Sequence, residues 1–173
     1  DWSESRGLGD VYKRQGLASL DKLLEKYPKN LVLNTTKVEF LSYFNKFNDA
    51  LDLANKFLEI SPKNYPLSIS KSQILLNMGQ YFESEEIIRD QLLRKNDSPD
   101  LWFMLSETQK TSQNIVGYHQ SRAEYFLLLG QDEKALNQLE FALQLTQNNF
   151  QVSDRIMTKI IEIKKSLQNS RGL

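Results

Sequence analysis

Cysteine is absent from the sequence, so the chain can form no disulfide and offers no thiolate to a metal, and its redox compartment cannot be read from sulfur. Histidine occurs once, at His119, which excludes any site that needs two imidazoles. Charge of one sign is also missing. Twenty-two Lys and Arg stand against 22 Asp and Glu, which removes the basic surface that nucleic acid or anionic lipid would require of a partner. No apolar run approaches the ~20 residues needed to span a bilayer, and no charged-then-apolar leader opens the chain. Nor is there an HExxH, a GxSxG, a glycine-rich phosphate loop or a Cys-His cluster. β-Branched residues are not clustered and no segment alternates for long, so strands are not expected.

What is present is amphipathic helix. The chain has 173 residues, 40% hydrophobic and 25% charged, the balance of one soluble domain of ordinary size. Leu51, Ala54, Phe57 and Leu58 make one apolar face; Ala135, Leu136, Leu139, Ala142 and Leu143 make another at i, i+3, i+4, i+7 and i+8. The periodicity predicts helices at about 16–27, 31–44, 47–60, 65–78, 81–94, 99–111, 115–129, 132–146 and 149–168.

A repeat organises these helices. Tyr27-Pro28-Lys29-Asn30 recurs as Ser61-Pro62-Lys63-Asn64, with the prolines 34 residues apart, and a third register ends at Lys95-Asn96-Asp97-Ser98, where a polar turn replaces proline. Small residues fall where helix backbones must approach, at Ala50, Ala54, Ser72, Ser84, Ala123, Ala135 and Ala142. Gly79 and Gly130 fall at turns, where a left-handed residue costs least without a Cβ. A 34-residue helix-turn-helix period resembles the tetratricopeptide repeat, which implies an all-α solenoid, a right-handed superhelix of antiparallel helix pairs. About four repeats are expected over residues 16–168, followed by a tail at 169–173. The register breaks once, because Trp102 and Leu105 open a frame near 99 while Ala123, Gly130, Ala135 and Ala142 demand one near 116. Helix 115–129 is therefore expected to be shared, closing one pair and opening the next. The final helix carries Ile156, Ile160, Ile163 and Leu167 on one stripe amid charged residues, as a solvent-facing cap would.

The first fifteen residues keep no period and are expected to be irregular. Ser5 to Gln15 (SRGLGDVYKRQ) resembles the in-frame translation of a transposon-type sequencing adapter, which marks residues 1–15 as a non-native scar to be left out of fold reasoning. Gly16 to Tyr27 has the character of a repeat's second helix, through Leu17, Leu20, Leu23 and Leu24. On that reading the repeat is truncated, Leu20, Leu23 or Leu24 is left uncovered, and the apparent lack of an export signal says nothing of where the parent protein goes.

The first helices of such repeats line the concave face of the solenoid. One and two turns in, they place Thr35, Glu39, Ile69, Gln73, Phe103, Glu107, Gln120 and Glu124 in a polar, mildly acidic groove for an extended or basic peptide segment. The other chemistry-bearing residues have structural assignments. His119 is expected to pack between helices, Trp102 to join the core, and Glu85-Glu86 and Asp132-Glu133 to start helices where the macrodipole favours them. No catalytic residue, metal ligand or cofactor is expected.

The C-terminal third supports a narrower comparison. Trp102-Phe103-Met104-Leu105-Ser106-Glu107, His119-Gln120-Ser121-Arg122-Ala123-Glu124-Tyr125, Gly130 to Leu139 (GQDEKALNQL) and Arg155-Ile156 resemble the tetratricopeptide tail of the bacterial beta-barrel assembly-enhancing proteases, periplasmic zinc metallopeptidases with an N-terminal HExxH domain. The resemblance implies a periplasmic, cell-envelope location. It also implies a non-catalytic tail that docks the protease onto outer-membrane barrel assembly components, with zinc confined to a domain outside this sequence. The alternative is a stand-alone repeat scaffold, cytoplasmic or envelope, with no enzyme attached.

Overall fold

The computed structural model describes the backbone of residues 2–146 and 149–171 and the side chains of residues 11–146 and 149–169. Among the described residues there are nine α-helices and no strand: α1 (Trp2–Lys26), α2 (Leu31–Tyr43), α3 (Phe47–Ile60), α4 (Tyr65–Asn77), α5 (Tyr81–Arg94), α6 (Pro99–Thr111), α7 (Ile115–Leu128), α8 (Asp132–Leu145) and α9 (Phe150–Arg171). They fall into two compact units, Asp1–Gln80 and Tyr81–Leu173.

In the first unit the repeated Pro-Lys-Asn segments work through their asparagines. The Asn30 side chain accepts the Leu33 N–H at 3.0 Å and starts α2, and Asn64 does the same for Leu67 at 2.9 Å and starts α4. Each cap satisfies one of the donors that a helix leaves open at its first turn. Ala50 and Ala54 of α3 are fully buried, and around them gather Val38, Leu41, Phe57, Leu67 and Ile74 from α2, α3 and α4. Two turns need a left-handed residue. Gly79 (φ 78°) supplies it after α4, whereas after α2 it is Asn45 (φ 57°), a position without a glycine signal.

α1 departs from expectation. The segment expected to be irregular over residues 1–15 is helical from Trp2, continuous with the stretch that was to begin at Gly16. No proline interrupts residues 2–26, and each further residue added to an existing helix gains a hydrogen bond, which offsets the ~1 kcal/mol that a glycine such as Gly7 or Gly9 costs. The helix is also anchored on α2. Gly16 lies so near α2 that a Cβ there would stand 3.1 Å from Phe40 Cζ, and Lys13 Nζ sits 3.3 Å above the Tyr43 ring. Of the leucines expected to lie uncovered, Leu20 is buried, Leu24 half-buried and Leu23 46% exposed.

In the second unit α7 packs along both α6 and α8, as α3 packs along both α2 and α4 in the first. Asn114 caps α7 through the Gly117 N–H at 3.1 Å, and Asn149 contacts the Val152 N–H at 3.2 Å ahead of α9. Gly130 (φ 68°) turns the chain after α7, and Gln113 (φ 62°) turns it after α6. An apolar cluster of Ala123, Ala135, Leu139, Ala142, Ile156, Ile160 and Ile163 joins α7, α8 and α9. Glu85 and Glu86 stand beyond the first turn of α5, which holds Glu83, while Asp132 and Glu133 do open α8. Of the expected tail, residues 169–171 belong to α9 and residues 172 and 173 lie outside the described residues.

Candidate peptide-binding surface

Helical spacing aligns Phe103, Glu107 and Lys110 along one face of α6 at i, i+4 and i+7, and Tyr118, Arg122 and Tyr125 along one face of α7 in the same way. The two helices run antiparallel, so the rows meet in reverse order. Phe103 and Tyr125 lie with ring centroids 5.5 Å apart, Arg122 pairs with Glu107, and Lys110 Nζ stands 6.0 Å from the centre of the Tyr118 ring. The result is a seam of alternating rings and charges.

Arg122 is the centre of this seam. Its guanidinium carbon lies 4.6 Å from the Phe103 ring centre, 5.2 Å from that of Tyr125 and 5.6 Å from that of Phe126. Such ring faces attract a cation and hold the guanidinium plane in one orientation. Its Nη1 is 3.5 Å from Glu107 Oε1, a charge contact that closes no hydrogen bond, and Nη1 is sealed from solvent without an acceptor. The side chain keeps 22% exposure, which therefore lies away from Nη1.

The eight groove residues divide four and four between the units. In the first unit Thr35 is buried and donates its hydroxyl to the Leu31 carbonyl at 2.9 Å, so it does not face a ligand. The position two turns into α2 points outward only at Glu39, which lines a cavity of about 270 Å³ with Lys13, Thr36, Phe40 and Tyr43. Ile69 is half-buried, and exposed Gln73 bonds Asn77 of its own helix at 3.4 Å. In the second unit Phe103 and Glu107 belong to the seam, while half-buried Gln120 lies one helix face away. Glu124 is ion-paired with Lys159 of α9.

These pairings change the electrostatics expected of the groove. Glu107 and Glu124 are the two acidic groove residues of this half, and each has a cation beside it, Arg122 at 3.5 Å and Lys159 in a close ion pair respectively. Sequence reasoning missed Arg122, Tyr125 and Lys159. The signal for the first two was the i, i+4, i+7 stripe Tyr118, Arg122, Tyr125, which a first-helix template for α7 passes over.

The remaining polar residues are engaged in packing. His119 Nδ1 lies 2.9 Å from Gln138 Oε1, with its ring centroid 5.5 Å from that of Phe141. Trp102 is half-buried and donates its indole N–H to the Asn96 carbonyl at 2.8 Å. Gln109 is fully buried; its amide donates to Glu85 at 3.0 Å and its carbonyl accepts the Ser121 hydroxyl at 2.7 Å, while Arg89 grips the same Glu85 oxygen through Nε and Nη2. Among the described residues no three acidic or histidine groups sit together as a metal site would require, and no helix is long and apolar enough to cross a membrane.

Helices of repeat length, small residues at the crossings and left-handed turns define the chain as an all-α protein of the tetratricopeptide αα-solenoid class. Solved structures agree on the fold. MamA 41-end from Desulfovibrio magneticus RS-1 superimposes with a TM-score of 0.62 at 13% identity, over 94% of this chain and 91% of that one. YrrB, described as a TPR protein with an unusual peptide-binding site, superimposes with a TM-score of 0.52 at 16% identity, over 89% and 98%. By sequence the chain is similar to mouse (Mus musculus) interferon-induced protein with tetratricopeptide repeats 3, at 26% identity over 120 residues. That match takes in 69% of this chain and 26% of the mouse protein's length. No family model matches.

Proposed function

We propose that the chain is a non-catalytic protein-interaction module whose working surface in the second unit is the α6–α7 seam. The observation that carries this reading is the arrangement around Arg122, where three rings and one loosely paired carboxylate hold a cation at a partly exposed surface. Arginine and aromatic side chains are the types that dominate protein interfaces. The similarity to repeat proteins, one of them described by its peptide-binding site, supports a peptide or protein as the ligand class. Fold alone assigns no partner.

In its narrower form the module is the tail of a periplasmic zinc metallopeptidase that acts in outer-membrane protein assembly and quality control. The resemblance of the stretches between Trp102 and Ile156 to the tail of that family supports this reading, with docking to barrel-assembly components as the tail's task and zinc held elsewhere in the parent. A stand-alone scaffold fits the comparisons equally well, since the solved chains of MamA (from residue 41 onward) and YrrB are matched over 91% and 98% of their residues. An HExxH-containing frame running into Gly16 in the gene supports the first reading, and a repeat-only gene removes it.

Selection of peptides from a random displayed library on the purified chain tests the general proposal. Recovery of clones that compete with one another and lose binding on Phe103→Ala, with helicity unchanged, is the expected result. A library without binders, or chelator-sensitive proteolysis by the pure chain, defeats it.

A further inference from the structure

The proposed interaction surface leaves open the charge of the segment it receives, and the seam answers that question. Resting on that reading, we propose that the α6–α7 seam takes an acidic extended segment, a side-chain carboxylate seating on Arg122 and a second lying toward Lys110.

Three observations favour an anion over the basic segment that the sequence pattern favours. Each carboxylate of the groove in this unit already faces a cation, Glu107 the Arg122 guanidinium at 3.5 Å and Glu124 the Lys159 ammonium in a close ion pair. The guanidinium, by contrast, is under-committed: of its five N–H donors, those on the sealed Nη1 face Glu107 at 3.5 Å, while Nε and Nη2, which are not sealed, make no hydrogen bond among the described residues. Lys110 has no ion pair among the described residues and rests only near the Tyr118 ring. Both cations therefore have capacity to spare, and charge complementarity selects a carboxylate-bearing partner.

Geometry sets the length and form of the ligand. Phe103 to Lys110 rises about 10 Å along α6, the span of about three residues of extended chain. Because the Phe103, Tyr125 and Phe126 rings crowd around the guanidinium, the side chain has little entropy left to lose when a carboxylate seats on it. Phe103, 38% exposed, offers an apolar seat beside the charge. The segment is thus short, extended and acidic, with an apolar residue near one carboxylate.

The test uses the full chain and three fluorescein-labelled hexapeptides with amidated C-termini, alternating phenylalanine and leucine with glutamate, glutamine or lysine, read by fluorescence anisotropy. The glutamate peptide is expected to bind about tenfold more tightly than the glutamine peptide, with the advantage shrinking as salt rises. Arg122→Gln should erase that advantage. Since this residue is packed against three rings, Arg122→Lys and the exposed Lys110→Gln serve alongside it, each expected to weaken the glutamate peptide about threefold or more with circular dichroism unchanged. Equal binding of the glutamate and glutamine peptides, preference for lysine, or full affinity in both Arg122→Lys and Lys110→Gln overturns the proposal. A lysine preference, or failure of all three peptides while the displayed library yields binders, removes only the acidic ligand and leaves the interaction module standing. Failure of the peptides and of the library removes both.

Discussion

The two faces of α7 are built from different materials. Toward α8 it presents Ala123 to Ala135, Leu139 and Ala142, all closed to solvent and continuous with the isoleucines of α9. Toward α6 it presents Ser121 to fully buried Gln109, with Gly117 so close that a Cβ would fall 2.8 Å from Gln109 Nε2 and 2.6 Å from Asn114 Nδ2. Apolar contact is non-directional and tolerates sliding, whereas a hydrogen-bonded pair in a dry seam specifies one register. A helix that serves two neighbours needs both properties. The apolar side supplies burial energy, and the polar side fixes the height at which α6 and α7 meet, and with it the opposition of Phe103 to Tyr125 and of Glu107 to Arg122.

Breaking the apolar side should have the largest effect. Leu139→Ala removes a buried side chain from the α7–α9 cluster and is expected to cost about 2–5 kcal/mol, measured as a lower denaturant midpoint. On the polar side, Gln109→Met keeps the volume but strands the Ser121 hydroxyl and leaves Glu85 to Arg89 alone, at an expected cost of about 1–3 kcal/mol. Adding Ser121→Ala should recover part of that loss, and a double-mutant cycle showing strictly additive costs would mean that the pair does not couple α6 to α7. The smallest effect belongs to the margin, where Lys159→Gln breaks the part-exposed pair with Glu124 for under about 1 kcal/mol, a difference that should fade in high salt.

The helices were legible because their signals are local. The 34-residue recurrence of Pro-Lys-Asn and the buried small residues located α2 to α8 within one residue at each end. α1 was not, because residues 2–15 lack a pattern of their own and the helix owes its anchorage to contacts with Phe40 and Tyr43 on α2. The left-handed turns at Asn45 and Gln113 escaped for a related reason: a glycine announces such a turn, and other residues adopt it only when the helices on either side hold them there. The surface was half legible. Phe103 and Glu107 came from the template, but Arg122 did not, because its importance lies in what α6 places against it.

A helix packed on both flanks bears on how such a chain changes length. α3 and α7 each bury one face on the helix before and another on the helix after, so a cut beside either strips the cover from an apolar face. The piece that such an architecture can add or remove without exposing apolar surface is therefore a whole repeat.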